Sequence, residues 1–142
     1  MKKCPPLLCR KLVLTVDELA RVRDEVRRVA TKNHCPKEVA DALVLAVNEA
    51  CANIIIHGYG PEKAGEIIME IFHNDNEISV RLTDFAPTVD CAKLQSRDIN
   101  EIRPGGLGMF FINELMDKVE FSAPESGVGN ILQLTKKIKT EE

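Results

Sequence analysis

The spacing of apolar and polar positions predicts the order of strands and helices along the chain. In residues 7–15, apolar and basic side chains alternate over short distances, which is typical of an edge strand. From 19 to about 33 and from 36 to about 57, apolar residues recur every three or four positions and predict two amphipathic helices. The later predicted elements are strands 66–72 and 77–83, a loop over 86–105, a nearly all-apolar buried helix over 107–116, and strands 119–122 and 131–138.

Local signals mark the ends of the two amphipathic helices. Thr15 and Glu18 fit a capping box at the start of the first helix. Pro36 suits the first turn of the second helix, and Gly58 with Gly60 predicts its end. The loop over 86–105 is long for a compact domain, and loops of that length are more often functional lids than plain connections.

The predicted order of elements defines a fold class. Strands joined by hairpins pair antiparallel, and three helices can cover one face of the resulting sheet. We therefore expect an α/β (α+β) two-layer sandwich, with a mostly antiparallel mixed sheet covered on one face by helices. Residues 1–142 are predicted to form a single domain, and no internal repeat is evident.

Composition restricts the class of protein. The 44% hydrophobic and 29% charged residues are ordinary for a globular domain, and the net charge of −3 lacks the basic excess of nucleic-acid-binding proteins. We expect no direct nucleic acid partner and no membrane span. Five cysteines without a CxxC pair favour reduced thiols and a cytoplasmic location over disulfides or a zinc site.

The second predicted helix carries a carboxylate and an amide one turn apart. Glu49 and Asn53 lie four positions apart, so they share one helix face. A carboxylate can accept a proton, and an amide oxygen can bind Mg²⁺ when phosphates supply other ligands. Taken alone, the pair is more often just a polar helix surface.

Two later segments complete a candidate nucleotide site. Asp84 ends a predicted strand, where a carboxylate can accept a hydrogen bond from an amino group, although a solvated turn is the simpler explanation. The run Arg103–Gly108 opens the third helix after the long loop, and such glycine-rich helix starts can bind phosphate. It can also be only a flexible helix entry. Together the three segments predict that an Mg–nucleotide binds between them.

These residues resemble a known family. The run Leu45–Asn53, followed by His57-Gly58-Tyr59, resembles the N box of the Bergerat-fold ATPases, which include gyrase, sensor histidine kinases and mismatch-repair ATPases. Asp84–Pro87 resembles the first glycine box, and Gly106–Ile112 resembles the second. The stretch Leu115–Phe121, with Gly129-Asn130 beyond it, is similar to one branch, the bacterial anti-sigma-factor serine kinases.

The resemblance implies roles for individual residues. Asn53 would ligate Mg²⁺ bridging the ATP phosphates, Glu49 would be the catalytic general base, and Asp84 would bind the adenine amino group. Arg21, on the first helix, would contact a partner protein. The nucleotide-binding residues that it implies are Asn53, Asp84, Ala86, Arg103, Gly105, Gly106, Leu107, Gly108 and Asn130.

The implied activity is that of an ATP- and Mg²⁺-dependent serine protein kinase. Family members are dimers that hold a sigma factor inactive and phosphorylate an anti-anti-sigma partner on serine. The sequence departs from the family where Ala86 replaces a glycine and Asn130 a frequent threonine. These departures keep open a non-catalytic module that binds nucleotide or a partner. A sensor histidine kinase ATPase domain is a third hypothesis, which the length disfavours.

Overall fold

The computed structural model describes five ranges of the chain, and all structural statements below concern them: residues 5–59, 65–86, 107–125, 127 and 129–138. The strands are β1 Leu8–Leu14, β2 Gly65–His73, β3 Glu77–Asp84, β4 Lys118–Ser122 and β5 Asn130–Lys137. The helices are α1 Leu19–Lys32, α2 Lys37–Asn53 and α3 Leu107–Leu115, with a 3₁₀ turn over Val16–Glu18 and a π-helical turn over Ile54–Tyr59.

The five strands form one sheet in the order β1-β2-β3-β5-β4. Every neighbouring pair in the described sheet is antiparallel, so the mostly antiparallel prediction is confirmed. The prediction that the first strand lies at an edge is confirmed as well, since β1 pairs only with β2 in the described sheet. The last strand, β5, inserts between β3 and β4, and this placement brings distant parts of the sequence together.

The core lies between the sheet and the helices, as expected for a two-layer sandwich. On β2 and β3 alternate positions such as Ile67, Met69, Val80 and Leu82 are almost fully buried. Because side chains alternate between the two faces of a strand, these residues all point to the helix side. The helices contribute a matching set of buried residues, which includes Val22, Val26, Leu43, Val47 and Ile112.

Helix α2 is the most apolar element of the core. By length and composition alone, residues Lys37–Ile56 would suffice to cross a membrane, but 56% of that window is buried inside the fold. The helix packs against α1, α3 and β5. Most of its apolar residues therefore serve the protein's own core, which is the usual situation for a central helix, while Leu45 is exposed.

The start of the helical layer differs from the prediction. Thr15 makes no side-chain capping bond; its carbonyl oxygen accepts a hydrogen bond from the Glu18 N–H at 3.0 Å and closes a 3₁₀ turn. The Glu18 carboxylate instead lies 3.6 Å from the Arg21 guanidinium. The predicted capping box is wrong, because the 3₁₀ turn shifts the start of α1 to Leu19 and leaves Glu18 at the N-cap rather than at the third helical position.

The ends of α2 and the burial of α3 also differ from expectation. Pro36 caps α2 from outside the helix rather than lying in its first turn, and Gly58 falls within the π-helical turn rather than ending the helix. In α3, Ile112 is fully buried, but Phe110 and Phe111 are 40% and 49% exposed. The prediction of a wholly buried third helix is therefore wrong for the described residues.

Candidate functional site

The topology brings the predicted site residues toward one end of the sheet. Asp84 ends β3 opposite Asn130, which begins β5. On its other side, Asp84 of β3 lies opposite Ile67 of β2, and Ile67 in turn lies opposite β1 near the end of that strand. Helix α1 starts from that end. Its contacts with α2 run from Arg23 with Asn48 to Arg27 with Asp41, so the two helices are antiparallel and the last turns of α2 return to that end. The candidate base and metal ligand on α2 therefore share an end of the fold with the Asp84–Asn130 pair.

Asp84 is the best-defined residue of the candidate site. Its side chain lies on the helix side of the sheet, and the residue is only 6% exposed. Both hydrogen bonds that described residues donate to it end on Oδ1: the Ala86 N–H at 3.0 Å and the Asn130 Nδ2–H at 3.0 Å. The arrangement fixes the carboxylate plane, and since no described residue donates to Oδ2, this oxygen can accept from a ligand. An acceptor held in this way suits the exocyclic amino group of a purine.

Burial sets the acidity of Asp84. Loss of solvation raises the pKa of the carboxyl above its ordinary value of 3.8, while the hydrogen bonds from Asn130 and from the Ala86 N–H act in the opposite direction. The burial effect is the larger of the two. The fold therefore holds a carboxylate at a cost in stability, which is typical of a group kept for binding rather than for packing.

Gly129 makes the close approach of β5 to Asp84 possible. Its φ of +105° lies in the region that favours glycine. A Cβ at this position would overlap the carbonyl oxygen of Asp84 and lie 3.3 Å from the Cα of Phe85. The glycine therefore allows β5 to start directly against Asp84, with Asn130 in hydrogen-bonding position.

Ala86 fits its position without backbone strain. Among the described residues, the non-glycine residue with positive φ is His34, so Ala86 does not need the freedom of the glycine that it replaces. Its side chain is buried, and its N–H donates to Asp84. The departure from the family pattern at this position therefore leaves the Asp84 hydrogen bonds intact.

Glu49 and Asn53 lie on the half-exposed face of α2. Both residues are neither fully buried nor fully exposed, and the intervening Ala50 and Cys51 point into the core. Asn53 is the last residue of the α-helix, and a π-helical turn follows directly. Such turns are rare and occur often at functional sites. The carboxylate and the amide are therefore accessible on one helix face, as the spacing predicts.

The donors present fit a magnesium ion that ATP phosphates would help to hold. Among the described residues, no three His, Cys, Asp or Glu side chains cluster as a metal site. Mg²⁺ does not need such a cluster, because it binds through one or two protein oxygens when phosphates and water supply the rest. The side-chain oxygen of Asn53, half-exposed on the face of α2 that also carries Glu49, is a donor of this kind.

The structure does not describe all of the predicted phosphate-binding segment. Arg103, Gly105 and Gly106 lie outside the described residues. Leu107 is the first residue of α3 and Gly108 the second, and α3 packs against α2. The helix start that the glycine-rich run predicts is therefore present, and its role in phosphate binding stays a prediction.

Arg21 does not point toward α2. Its guanidinium lies on the flank of α1 that carries Glu18, and its side chain is 77% exposed. Arg23, two positions later, projects about 200° away around the helix, on the flank that meets α2. Its Nη1 donates a hydrogen bond to Asn48 Oδ1 at 2.9 Å, and Asn48 is the residue that precedes Glu49 in the sequence.

Sequence reasoning missed three features of this site. Gly129 could have been found as the last glycine of the turn before β5, but nothing in the sequence shows that it touches Asp84. Arg23 was hidden in a run of four arginines on α1. The π-helical turn after Asn53 has no signal in the apolar periodicity.

Comparisons with known proteins show which sequences this chain is similar to. The sequence model of the histidine kinase-like ATPase domain family matches residues 12–136. The serine-protein kinase RsbW of Halalkalibacterium halodurans is 30% identical over 129 residues, which are 85% of this chain and 76% of that protein. RsbW of Bacillus thuringiensis is 26% identical over 140 residues, covering 93% of this chain and 85% of that protein.

Solved structures share the fold. The RsbU and RsbW domains of Rv1364c from Mycobacterium tuberculosis superpose with a TM-score of 0.69 at 17% identity. The match covers 97% of this chain and about a third of that one, 34%. A chain of the SiaB–SiaC complex from Pseudomonas aeruginosa gives a TM-score of 0.63 at 15% identity, and the match covers 92% of this chain and 89% of that chain.

Proposed function

Because the chain belongs to the histidine kinase-like ATPase family, in the branch of the bacterial anti-sigma serine kinases, we propose that it is an ATP- and Mg²⁺-dependent serine protein kinase. The observation that carries the proposal is the buried Asp84, held by Asn130 at the end of the fold to which Glu49 and Asn53 return. A protein kinase of this family requires a group that binds adenine and groups that assist phosphoryl transfer at the same end of the fold.

Each residue has a distinct part in the proposed reaction. Asp84 Oδ2 accepts from the adenine amino group. Asn53 would hold Mg²⁺, and the ion would supply positive charge to neutralise the ATP phosphates. Glu49 accepts the proton of the serine hydroxyl while the serine oxygen bonds to the γ-phosphorus of ATP. The bond from that phosphorus to the β–γ bridging oxygen breaks, and ADP leaves. Catalysis of this kind is mostly positioning and charge stabilisation, so few groups suffice.

We propose the partners from the family as well. The phosphoacceptor is an anti-anti-sigma protein, and the chain acts in the cytoplasm as a homodimer that holds a sigma factor inactive. The names of its relatives support the serine kinase activity. The partner roles rest on the resemblance of the motifs described above, and light scattering after gel filtration would test the dimer.

The experiment that tests the kinase proposal separates binding from transfer. Calorimetric titration with ATP, with and without Mg²⁺, should show magnesium-dependent binding that Asn53→Ala abolishes. Glu49→Gln keeps the size and polarity of the side chain but cannot take up the proton. We expect this variant to bind Mg–ATP normally and to transfer phosphate to the anti-anti-sigma protein at least about 100-fold more slowly.

Two outcomes would contradict the proposal. If well-folded wild-type protein binds no ATP, the chain is a partner-binding module on an ATPase fold. If wild type binds ATP but transfers no phosphate while still binding its protein partner, the nucleotide is a structural effector. Normal transfer by Glu49→Gln would show only that another group is the base.

A further inference from the structure

Two arginines of α1 bridge to α2 along the solvent-facing seam between these helices. Arg23 Nη1 donates to Asn48 Oδ1 at 2.9 Å, and Arg27 Nη1 donates to Asp41 Oδ1 at 2.7 Å. The two bridges are one turn apart on α1, and the antiparallel packing places Arg23 nearer the end of α2 that carries Glu49. Both bridges are arginine-to-oxygen hydrogen bonds between the same two helices, but the Arg23 bridge lies nearer to Glu49 than the Arg27 bridge does.

The Arg23 bridge ends beside the proposed catalytic base. Asn48 precedes Glu49 directly, and consecutive helix residues project about 100° apart. Among the described residues, Arg23 makes the side-chain hydrogen bond that ties α1 to this turn of α2. Between the seam and the Glu49 face lies the exposed ridge of α2, where Leu45 is 55% exposed. Asn48, Leu45 and Glu49 follow one another around the exposed side of α2, so a protein that covers Glu49 from solvent also comes close to the seam.

The guanidinium of Arg23 is suited to meet a protein that approaches in this way. Arginine presents a rigid fork of N–H donors that matches a carboxylate, and the Asn48 bond engages Nη1 and restricts the orientation of the fork. The residue is otherwise exposed. Asn48 is neutral, so it orients the guanidinium without neutralising it, whereas Asp41 neutralises Arg27. A carboxylate on an incoming protein surface is the complementary group.

We propose that Arg23, oriented by Asn48, is a positioning residue that binds a carboxylate of the phosphoacceptor protein and sets its serine over Glu49. The inference rests on the proposed kinase function and adds a residue that positions the protein substrate. It differs from the role that the family resemblance gives to Arg21, which lies on the opposite flank of α1.

Steady-state phosphorylation of the anti-anti-sigma protein from the same organism tests this role. We expect Arg23→Ala to raise the KM for the protein substrate about tenfold, the size of one lost charge-assisted contact. The KM for ATP should stay within about twofold of wild type, because Arg23 is not part of the proposed nucleotide site. Asn48→Ala should raise the protein KM less, and the double variant should be no worse than Arg23→Ala, since both act through one group.

Arg27→Ala is the matched control, because it removes an equivalent bridge between the same helices one turn away. We expect it to lower thermal stability slightly and leave the protein KM unchanged. Arg23→Lys keeps the charge but not the fork and should recover only part of the loss.

Equal effects of Arg23→Ala and Arg27→Ala on the protein KM would overturn the role of Arg23 while leaving the kinase intact. An increase in the KM for ATP equal to that for protein would overturn it too. Wild-type protein that transfers no phosphate would overturn both the kinase proposal and this one.

Discussion

Replacement of Asp84 by asparagine should weaken ATP binding without destabilising the fold. In Asp84→Asn the amide oxygen can still accept from the Ala86 N–H and from Asn130 Nδ2, both at 3.0 Å in the wild type. The amide nitrogen then replaces Oδ2 and faces the adenine amino group with a donor. Loss of a hydrogen bond to a charged acceptor costs about 1.5–3 kcal/mol, so the Kd for ATP should rise about 10- to 150-fold.

The effect on stability follows from the pKa of Asp84. Two hydrogen bonds favour the charged form, but burial raises the pKa overall, so the folded protein favours the neutral carboxyl. A neutral isostere should therefore leave the free energy of unfolding unchanged or raise it at pH 7. In wild type the folded state binds more protons than the unfolded state between the ordinary pKa of 3.8 and the raised value. This contribution to stability is present below 3.8 and is lost as pH rises through that window.

Urea unfolding between pH 4 and pH 8, followed by circular dichroism because the chain has no tryptophan, measures this difference. The stability advantage of Asp84→Asn over wild type should grow as pH rises and then level off. Asp41→Asn is the control: the Arg27 hydrogen bond lowers the pKa of Asp41, so its contribution is lost as pH falls. Asp84→Asn that is less stable than wild type at pH 7, or that binds ATP normally, would refute the reasoning.

Two further predictions concern stability. Gly129→Ala should cost about 2 kcal/mol or more in urea unfolding, because the new Cβ overlaps the Asp84 carbonyl, whereas Gly127→Ala, with φ of +81° and open space, should cost only about 1 kcal/mol. Leu43→Ala should cost about 2–5 kcal/mol because Leu43 is fully buried, while Leu45→Ala, on the exposed face of the same helix, should change stability by about 0.5 kcal/mol or less. Equal costs within either pair would contradict the packing described.

Apolar periodicity predicted the elements well because it reports which side of an element is buried. Val22, Val26 and Val29 recur at helical spacing, and all three are buried on α1. The same signal failed for α3, where composition predicted burial all round but Phe110 and Phe111 are exposed. Apolar composition alone does not show which sides of a helix are covered by other elements, because this depends on tertiary packing.

The candidate site shows where sequence reasoning ends. The i, i+4 spacing of Glu49 and Asn53 is local, and the structure leaves both accessible on one face of α2. The contact of Asp84 with Asn130 joins residues 46 positions apart and exists because β5 inserts beside β3 in a particular register. Several strand orders satisfy the same alternation of apolar residues, so only the folded sheet reveals this partner.

We expect nucleotide recognition and protein recognition to be separable in the proposed site. Asp84 is buried, and the β3–β5 register holds it in place, so its substitution should change the KM for ATP whatever protein accepts the phosphate. Arg23 lies on the helix seam at the surface, so its substitution should change the KM for the protein alone. We therefore expect Asp84→Asn and Arg23→Ala to have opposite patterns in the two KM values and additive effects in the double variant. Strong non-additivity would instead mean that the sheet end and the helix seam change conformation together.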